Sequence, residues 1–409
     1  MSQKYTVQKG DTLSAIARKF GVTVAAIKTA NRLITDALGL GRELLIPTTG
    51  TPPPTPPPTP KPVVSPITQP IAINPKPVTP FVINSTPLEK INKVRAQAKI
   101  TSLPKAGYTQ FTFSCPNPSG GTITASFRDN VDSKYKLYAN GISYPGQAMP
   151  QLPLSMYQSV GLSEAQAKAL RFVSMHEGKF DAINSYDKAI FSFGFIQFTG
   201  SVATGNSLGM VLSYFKHNCA ELFGTYFLAA GIDVVYSLKD GSIAAPVTVS
   251  VVHGTTGEKL TNDAAYTHIK DNMTLFMPFI QSAYEPMLVR EQLRAAALMY
   301  VQKALNLKLK VTILGVTVDI PIISEILRSE GASTVLIDLC VNRGSGGLAA
   351  ILAPALVSIA ESANMDTLAA LRDIDEQAVI QQIIAQNSDA RVVRRTQNII
   401  DSGLSFAKA

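Results

Sequence analysis

The chain has 409 residues, 46% of them hydrophobic, enough for two or three domains with proper cores. A net charge of +8 suits an anionic partner such as bacterial cell wall, nucleic acid or a membrane surface, but no dense Lys/Arg run interleaved with aromatics favours nucleic acid. Three scattered cysteines (Cys115, Cys219, Cys340) and four histidines without ligand spacing argue against a disulfide framework and a metal cluster, so neither metal nor organic cofactor is expected.

The opening Met1-Ser2-Gln3-Lys4-Tyr5 has no apolar stretch of the kind that marks a secretory signal. Synthesis in the cytoplasm is expected, with any action on the cell wall following release, injection or delivery by a virion. Tyr5-Thr6-Val7 reads as a strand, and Gly10-Asp11-Thr12 turns into a helix with Leu13, Ile16, Ala17 and Phe20 at helical spacing. Gly21 breaks that helix, Val24 to Asn31 forms a second, and Glu43-Leu44-Leu45-Ile46-Pro47 closes as a strand. The order Val-Gln-Lys-Gly-Asp-Thr-Leu, Ile-Ala-Arg-Lys-Phe-Gly-Val, Ala-Ala-Ile-Lys-Thr-Ala-Asn, Leu-Leu-Ile-Pro resembles the LysM domain, a small βααβ module covering residues 1–50. The resemblance implies binding of N-acetylglucosamine polymers in a groove between two loops, through Gly10, Asp11 and Thr12 on one side and Asn31 and Ile34 on the other. Helix capping is the plainer role for Asp11 and Thr12, and both readings stay open. The family's Asn-Pro after the second helix is Asn31-Arg32 here.

Residues 51–86 form a linker whose Pro/Thr-rich stretch from Thr51 to Pro80 favours extended polyproline II, a semi-rigid spacer. Residues 87–150 look β-rich, with Tyr108–Cys115, Thr122–Phe127 and Tyr135–Tyr144 as strands and Asn140-Gly141 as a hairpin turn.

Leu162 to Met175 reads as a helix, with Ser163 at the N-cap and Gln166 at N3 as a capping box. Leu170 and Val173 place Glu177 at its end on the core side, and Gly178 suits the left-handed residue that closes a helix. The negative end of the helix dipole and partial desolvation both raise the pKa of such a glutamate, as a general acid requires. From Phe180 to Phe198 the period becomes strand-like, and Asp187 and Ser192 project from a β-ribbon back across from Glu177. A carboxylate with a hydroxyl opposite an acid is a minimal arrangement for holding water under a sugar ring.

Glu177-Gly178, Asp187, Ser192 and Gly194 together resemble the lysozyme superfamily, phage-type lysozymes and chitosanases in particular. Gly194-Phe195-Ile196-Gln197 is similar to the Gly-Leu-Met-Gln of lytic transglycosylases. Asp338-Leu339-Cys340-Val341-Asn342-Arg343-Gly344 and Ala390 to Gln397 resemble the C-terminal core helices of phage lysozymes. The resemblance covers roughly Leu154–Gly200 and Ser333–Leu404. It implies a mainly helical α+β catalytic domain over residues 151–409, with a β-ribbon and an insertion at about 201–332. Glu177, Asp187 and Ser192 are its catalytic candidates, and Tyr186, Gln197, Asn342 and Arg343 its substrate-binding ones. The acid-to-aspartate spacing is one residue longer than in phage lysozymes, and Ser192 stands where they have Thr.

Within the insertion, Gly205–Lys216 and Arg290–Leu305 look helical, and Lys308 to Ile320 alternates about Leu314-Gly315 as a hairpin does. The longest apolar run, Leu348 to Ala360, contains Pro354 and is too short to span a membrane, so a buried helix is expected. Arg391, Arg394 and Arg395 read as a solvated helix face or an anion-binding cluster, and His176 as structural.

The whole is read as a multidomain, inverting, wall-directed glycoside hydrolase acting on peptidoglycan or another GlcNAc-containing polymer. The alternatives are a lytic transglycosylase, a chitinase or chitosanase, and a non-catalytic wall-binding part of a phage tail, secretion or injection machine.

Overall fold

In this computed structural model the described residues are 2–8, 11, 13–20, 22, 24–31, 41–47, 86–149, 152–175 and 177–408. They fall in two units, Met1–Val63 and Val64–Ala409. The Pro/Thr-rich stretch, Gly10, Thr12, Ile34 and His176 lie outside the described residues.

In the first unit, β1 (Ser2–Thr6) is followed by α1 (Leu13–Phe20), α2 (Val24–Asn31) and β2 (Glu43–Pro47). The two strands are antiparallel with Tyr5 opposite Leu44. Leu13, Ile16 and Ala17, three and four residues apart on one face of α1, bury against Ile27, Leu44 and Ile46. Asn31 fastens α2 to β2: its amide donates to the Ile27 carbonyl at 2.8 Å and the Leu45 carbonyl at 2.7 Å, and its oxygen accepts from Leu45 N–H at 2.7 Å.

The second unit begins with α3 (Leu88–Arg95), then β3 (Lys99–Lys105), β4 (Tyr108–Pro116), β5 (Thr122–Arg128) and β6 (Ser143–Tyr144). In β5 the apolar residues alternate, so Ile123, Ala125 and Phe127 point inward while Thr122, Thr124 and Ser126 face solvent. Helices α4 (Leu154–Gln158) and α5 (Glu164–Ser174) precede three two-residue strands, β7 (Ile183–Asn184), β8 (Ser192–Phe193) and β9 (Phe198–Thr199). Strands β3 to β9 form one antiparallel sheet in sequential order, so the strands of residues 99–128 continue into the ribbon that follows Glu177.

The hairpin expected at Asn140-Gly141 does not form. The Asn140 side chain donates instead to Asp271 at 2.7 Å, and Gly141 packs so closely on Tyr186 that a Cβ there would lie 2.5 Å from the Tyr186 Cα. Leu137 N–H donates to the Tyr186 carbonyl at 2.7 Å, so this stretch folds over the ribbon turn rather than onto itself.

Beyond the ribbon, α6 (Ser207–Asn218) and α7 (Ala220–Phe223) lead into a three-stranded antiparallel sheet, β10 (Ile232–Lys239), β11 (Ser242–Val252) and β12 (Lys259–Thr261). Next come α8 (Asn262–Asp271), α9 (Met277–Ser282), α10 (Pro286–Ala296) and α11 (Gln302–Leu305). The expected hairpin is present as β13 (Leu309–Ile313) and β14 (Val316–Ile320), with positive φ at both Leu314 (49°) and Gly315 (81°), the signature of a type I′ turn.

The unit closes with α12 (Glu330–Ser362), α13 (Leu368–Leu371), α14 (Glu376–Gln386) and α15 (Ala390–Ile400). Gly344, at φ 68° and ψ 173°, breaks α12 into two segments. The first is almost wholly buried from Gly331 to Cys340. The second, expected to be buried throughout, buries only the stripe Leu348, Leu352, Ala355, Leu356 and Ala360. By length and composition alone α12 is long and apolar enough to cross a membrane, with a mean hydropathy of 1.4 over its most apolar stretch. One stripe of residues about four apart packs on the core, while apolar Ala350, Ile351, Ala353 and Val357 remain at least partly exposed.

Asn31→Ala removes the two bonds that join α2 to β2 at Leu45. At about 0.5–1.5 kcal/mol each, their loss should lower amide-exchange protection at Leu45 by at least about tenfold in the full-length chain. Unchanged protection would show that the apolar core alone holds β2.

Candidate active site

Helix α5 starts as its sequence dictates, with Ser163 and Gln166 in a reciprocal capping box. Its end differs from expectation. The last helical residue is Ser174, Met175 is the right-handed C-cap, and Gly178 has φ 157° rather than a left-handed helical conformation. Glu177 therefore sits past the helix, its N–H donating to the Ser174 carbonyl at 3.2 Å.

What holds this turn is a long-range clamp. Lys179 N–H donates to the Pro145 carbonyl at 2.9 Å. Asp181, fully buried, accepts from Gln147 N–H at 2.7 Å, Ala148 N–H at 2.8 Å and the Tyr144 hydroxyl at 2.7 Å. Burial pushes the Asp181 carboxyl up in pKa, and these hydrogen bonds only partly offset it. Gly178 is required here, because a Cβ would come within 2.8 Å of the Ala182 Cβ.

The Glu177 side chain points into a buried charge cluster. Arg395 Nη2 stands 2.8 Å from Glu177 Oε1. The same guanidinium holds Asp338 through Nε, 3.1 and 3.0 Å from its two oxygens, and through Nη2. Only about a tenth of each of the Glu177 and Arg395 side chains is exposed. Burial pushes the Glu177 carboxyl above its ordinary value of 4.5. Arg395 and Arg391 pull it down and Asp338 pushes it up, with a net upward shift. The expected direction is present, but it arises mainly from burial and against a cation that the helix-end argument did not include. Of the three arginines read as one cluster, Arg391 and Arg394 are exposed, whereas Arg395 belongs to this interior group.

The other candidates are placed as follows. Ser192 is buried on β8 opposite Asn184. Asp187 lies in the β7–β8 turn and accepts from Ala189 N–H at 3.0 Å. Half-buried Tyr186 has its hydroxyl pKa raised, first by burial, then by Asp187 and Glu177, with Arg391 opposing. Tyr186 thus lies within reach of the charges of Asp187, Glu177 and Arg391.

Gln197, at φ 54°, donates to the Gly194 carbonyl at 3.0 Å, and its buried oxygen has no hydrogen-bond partner among the described residues. Its amide lies where it would touch a Cβ on Gly178, next in the chain to the acid. Asn342 donates to the Asp338 carbonyl at 2.9 Å and accepts from Arg391 Nη2 at 3.1 Å. Arg343 is committed to Asp389, the N-cap of α15, which makes it a fastener between helices.

In the first unit Asp11 is bonded to the strand side of the turn. It accepts from Gln8 N–H and the Tyr5 hydroxyl, both at 2.8 Å, and these bonds lower its pKa, the Gln8 bond foremost. Asn31 is occupied by β2 backbone and borders a hollow of about 410 Å³ with Lys4, Arg42 and Glu43.

A LysM domain profile matches residues 5–47. Over 47 residues the chain is 40% identical to a protein of Lactococcus lactis subsp. lactis (strain IL1403) named "Probable N-acetylmuramidase", a match covering 12% of this chain and 11% of that protein. The chain thus spans about a ninth of that relative's length, within the LysM region. No solved structure matches. The chain carries an N-terminal LysM domain, and LysM domains bind peptidoglycan and related GlcNAc polymers.

Two outcomes follow from the charge cluster. Arg395→Met leaves Asp338 and Glu177 buried without a cation, and breaking such a group costs about 3–5 kcal/mol. A denaturant midpoint that barely moves would show that water enters the site freely. Glu177 has a folded pKa above its unfolded 4.5, so its contribution to stability is greatest below 4.5 and declines as pH rises through the folded value. Glu177→Gln should therefore match the parent in Tm near pH 4 and exceed it at pH 7. A variant that melts lower at pH 7 would overturn the direction of the shift.

Proposed function

We propose that this protein is a peptidoglycan-degrading glycoside hydrolase of the lysozyme type, a muramidase held on its polymer by the LysM domain. The carrying observation is Glu177: a carboxyl buried just before a short antiparallel ribbon and displaced toward its protonated form, with Tyr186 of that ribbon feeling its charge. The LysM domain and the name of the Lactococcus relative support the same substrate.

Glu177 donates its proton to the leaving glycosidic oxygen. Asp187, aided by Ser192, activates a water on the opposite face of the ring, giving inversion. Arg395 is a positioning residue in this scheme. Its charge is shared with Asp338, so it orients the acid without fully holding it in the ionised form.

Glu177→Gln should bind sacculi normally and lose at least about a hundredfold in kcat, since general acid catalysis is typically worth about 10²–10⁴-fold. Asp187→Asn should be severely impaired, with reducing ends in the parent's products. Anhydro-muropeptides from a fully active Asp187→Asn would replace the hydrolase with a lytic transglycosylase. Faster turnover of chitin or chitosan than of peptidoglycan would change the substrate. Full activity in Glu177→Gln would end the catalytic assignment.

A further inference from the structure

A hollow of about 710 Å³ opens beside the turn that carries Glu177, lined by Met175 and Gly178 from that turn and by Lys179 just after it. Its size is that of a small-molecule site. Phe180 and Phe195, stacked at 4.6 Å, form part of an apolar wall with Met149. Met175 leaves 62% of its surface uncovered, an exposed thioether of the adaptable kind found at binding surfaces.

The polar lining is one-sided. Lys168, Arg171 and Lys179 contribute cations, and no described acid lines the hollow. Lys168 is already engaged by Glu164 at 3.2 Å and Glu330 at 3.5 Å. Arg171 and Lys179 make no ion pair with any described residue. They flank the apolar wall as two free positive charges, one at the end of α5 and one two residues past the acid.

We propose that this hollow binds the acidic peptide stem of the glycan, the lactyl-linked dipeptide whose carboxylates chitin lacks. The proposal rests on the hydrolase reading above and adds what selects the substrate. Three features support it. Gly178 and Lys179 line the hollow and lie one and two residues from Glu177, within about 8 Å along the backbone, so the hollow adjoins the segment that carries the acid. The stem's methyl-bearing residues suit the Phe180–Phe195 wall, and two carboxylates complement Arg171 and Lys179. An anionic lipid headgroup would use the charges but offers no reason for the hollow to adjoin the acid.

The test uses the full-length chain with ¹³C-methyl methionine, because Met149 and Met175 report from the lining itself. Soluble N-acetylmuramyl-alanyl-glutamate should shift both signals, whereas chitobiose should leave them in place. Arg171→Ala combined with Lys179→Ala should weaken muramyl-dipeptide binding at least about tenfold, with the remaining methionine signals unchanged to certify the fold. Shifts that chitobiose reproduces, or that survive both substitutions at parental affinity, would overturn the proposal. So would signals that move with phosphatidylglycerol vesicles and not with the muramyl dipeptide. None of these readouts requires bond cleavage, so loss of the stem site and loss of the hydrolase assignment are told apart by the separate activity of the parent on sacculi.

Discussion

The second unit is organised around a single guanidinium. Arg395 brings together the turn after α5, through Glu177, the buried half of α12, through Asp338, and its own helix α15. Two acids share one cation in a space where an isolated charge would cost several kcal/mol, so the three elements are held in one relation. The acid is neither free nor fully neutralised. Burial raises its pKa, Arg395 lowers it, and Asp338 limits how much of the cation Glu177 receives.

Local chemistry was readable where the determinants are close in sequence. The Ser163–Gln166 capping box, the Leu314-Gly315 turn and the βααβ order of residues 2–47 each depend on residues a few positions apart. The longer hairpin of β10 and β11 turns at Asp240-Gly241, itself a strong local signal, but the register shift between Val235 and Ser237 interrupts the alternation that would have marked it. The end of α5 was not readable. The path of residues 177–182 is set by Pro145, Tyr144, Gln147 and Ala148, more than thirty residues earlier.

The charge cluster lies between these cases. Asp338 is the one acid in the apolar run Val335–Cys340, and a charge on a buried face demands a partner. On α15, Val392 and Ile399 face inward, and Arg395 is three residues after the first and four before the second. Helical phase thus separates Arg395 from its neighbour Arg394, whereas Arg391, one turn earlier on the same face, stays exposed and reaches Asn342. The signal was present in the spacing, although the identity of the acids it meets depends on tertiary contact.

The order of these parts along the chain has a consequence for biosynthesis. Glu177 emerges from a ribosome well before Asp338, and α15 follows later still. At about 5–20 residues per second, roughly ten to forty seconds separate the glutamate from its arginine. Throughout that interval the growing polypeptide has its anchoring module but not the cation that orients the acid. Until α15 is made, a nascent chain therefore has the turn that carries Glu177 but not the guanidinium that ties it to α12, and synthesis of α15 is the step that joins the three elements.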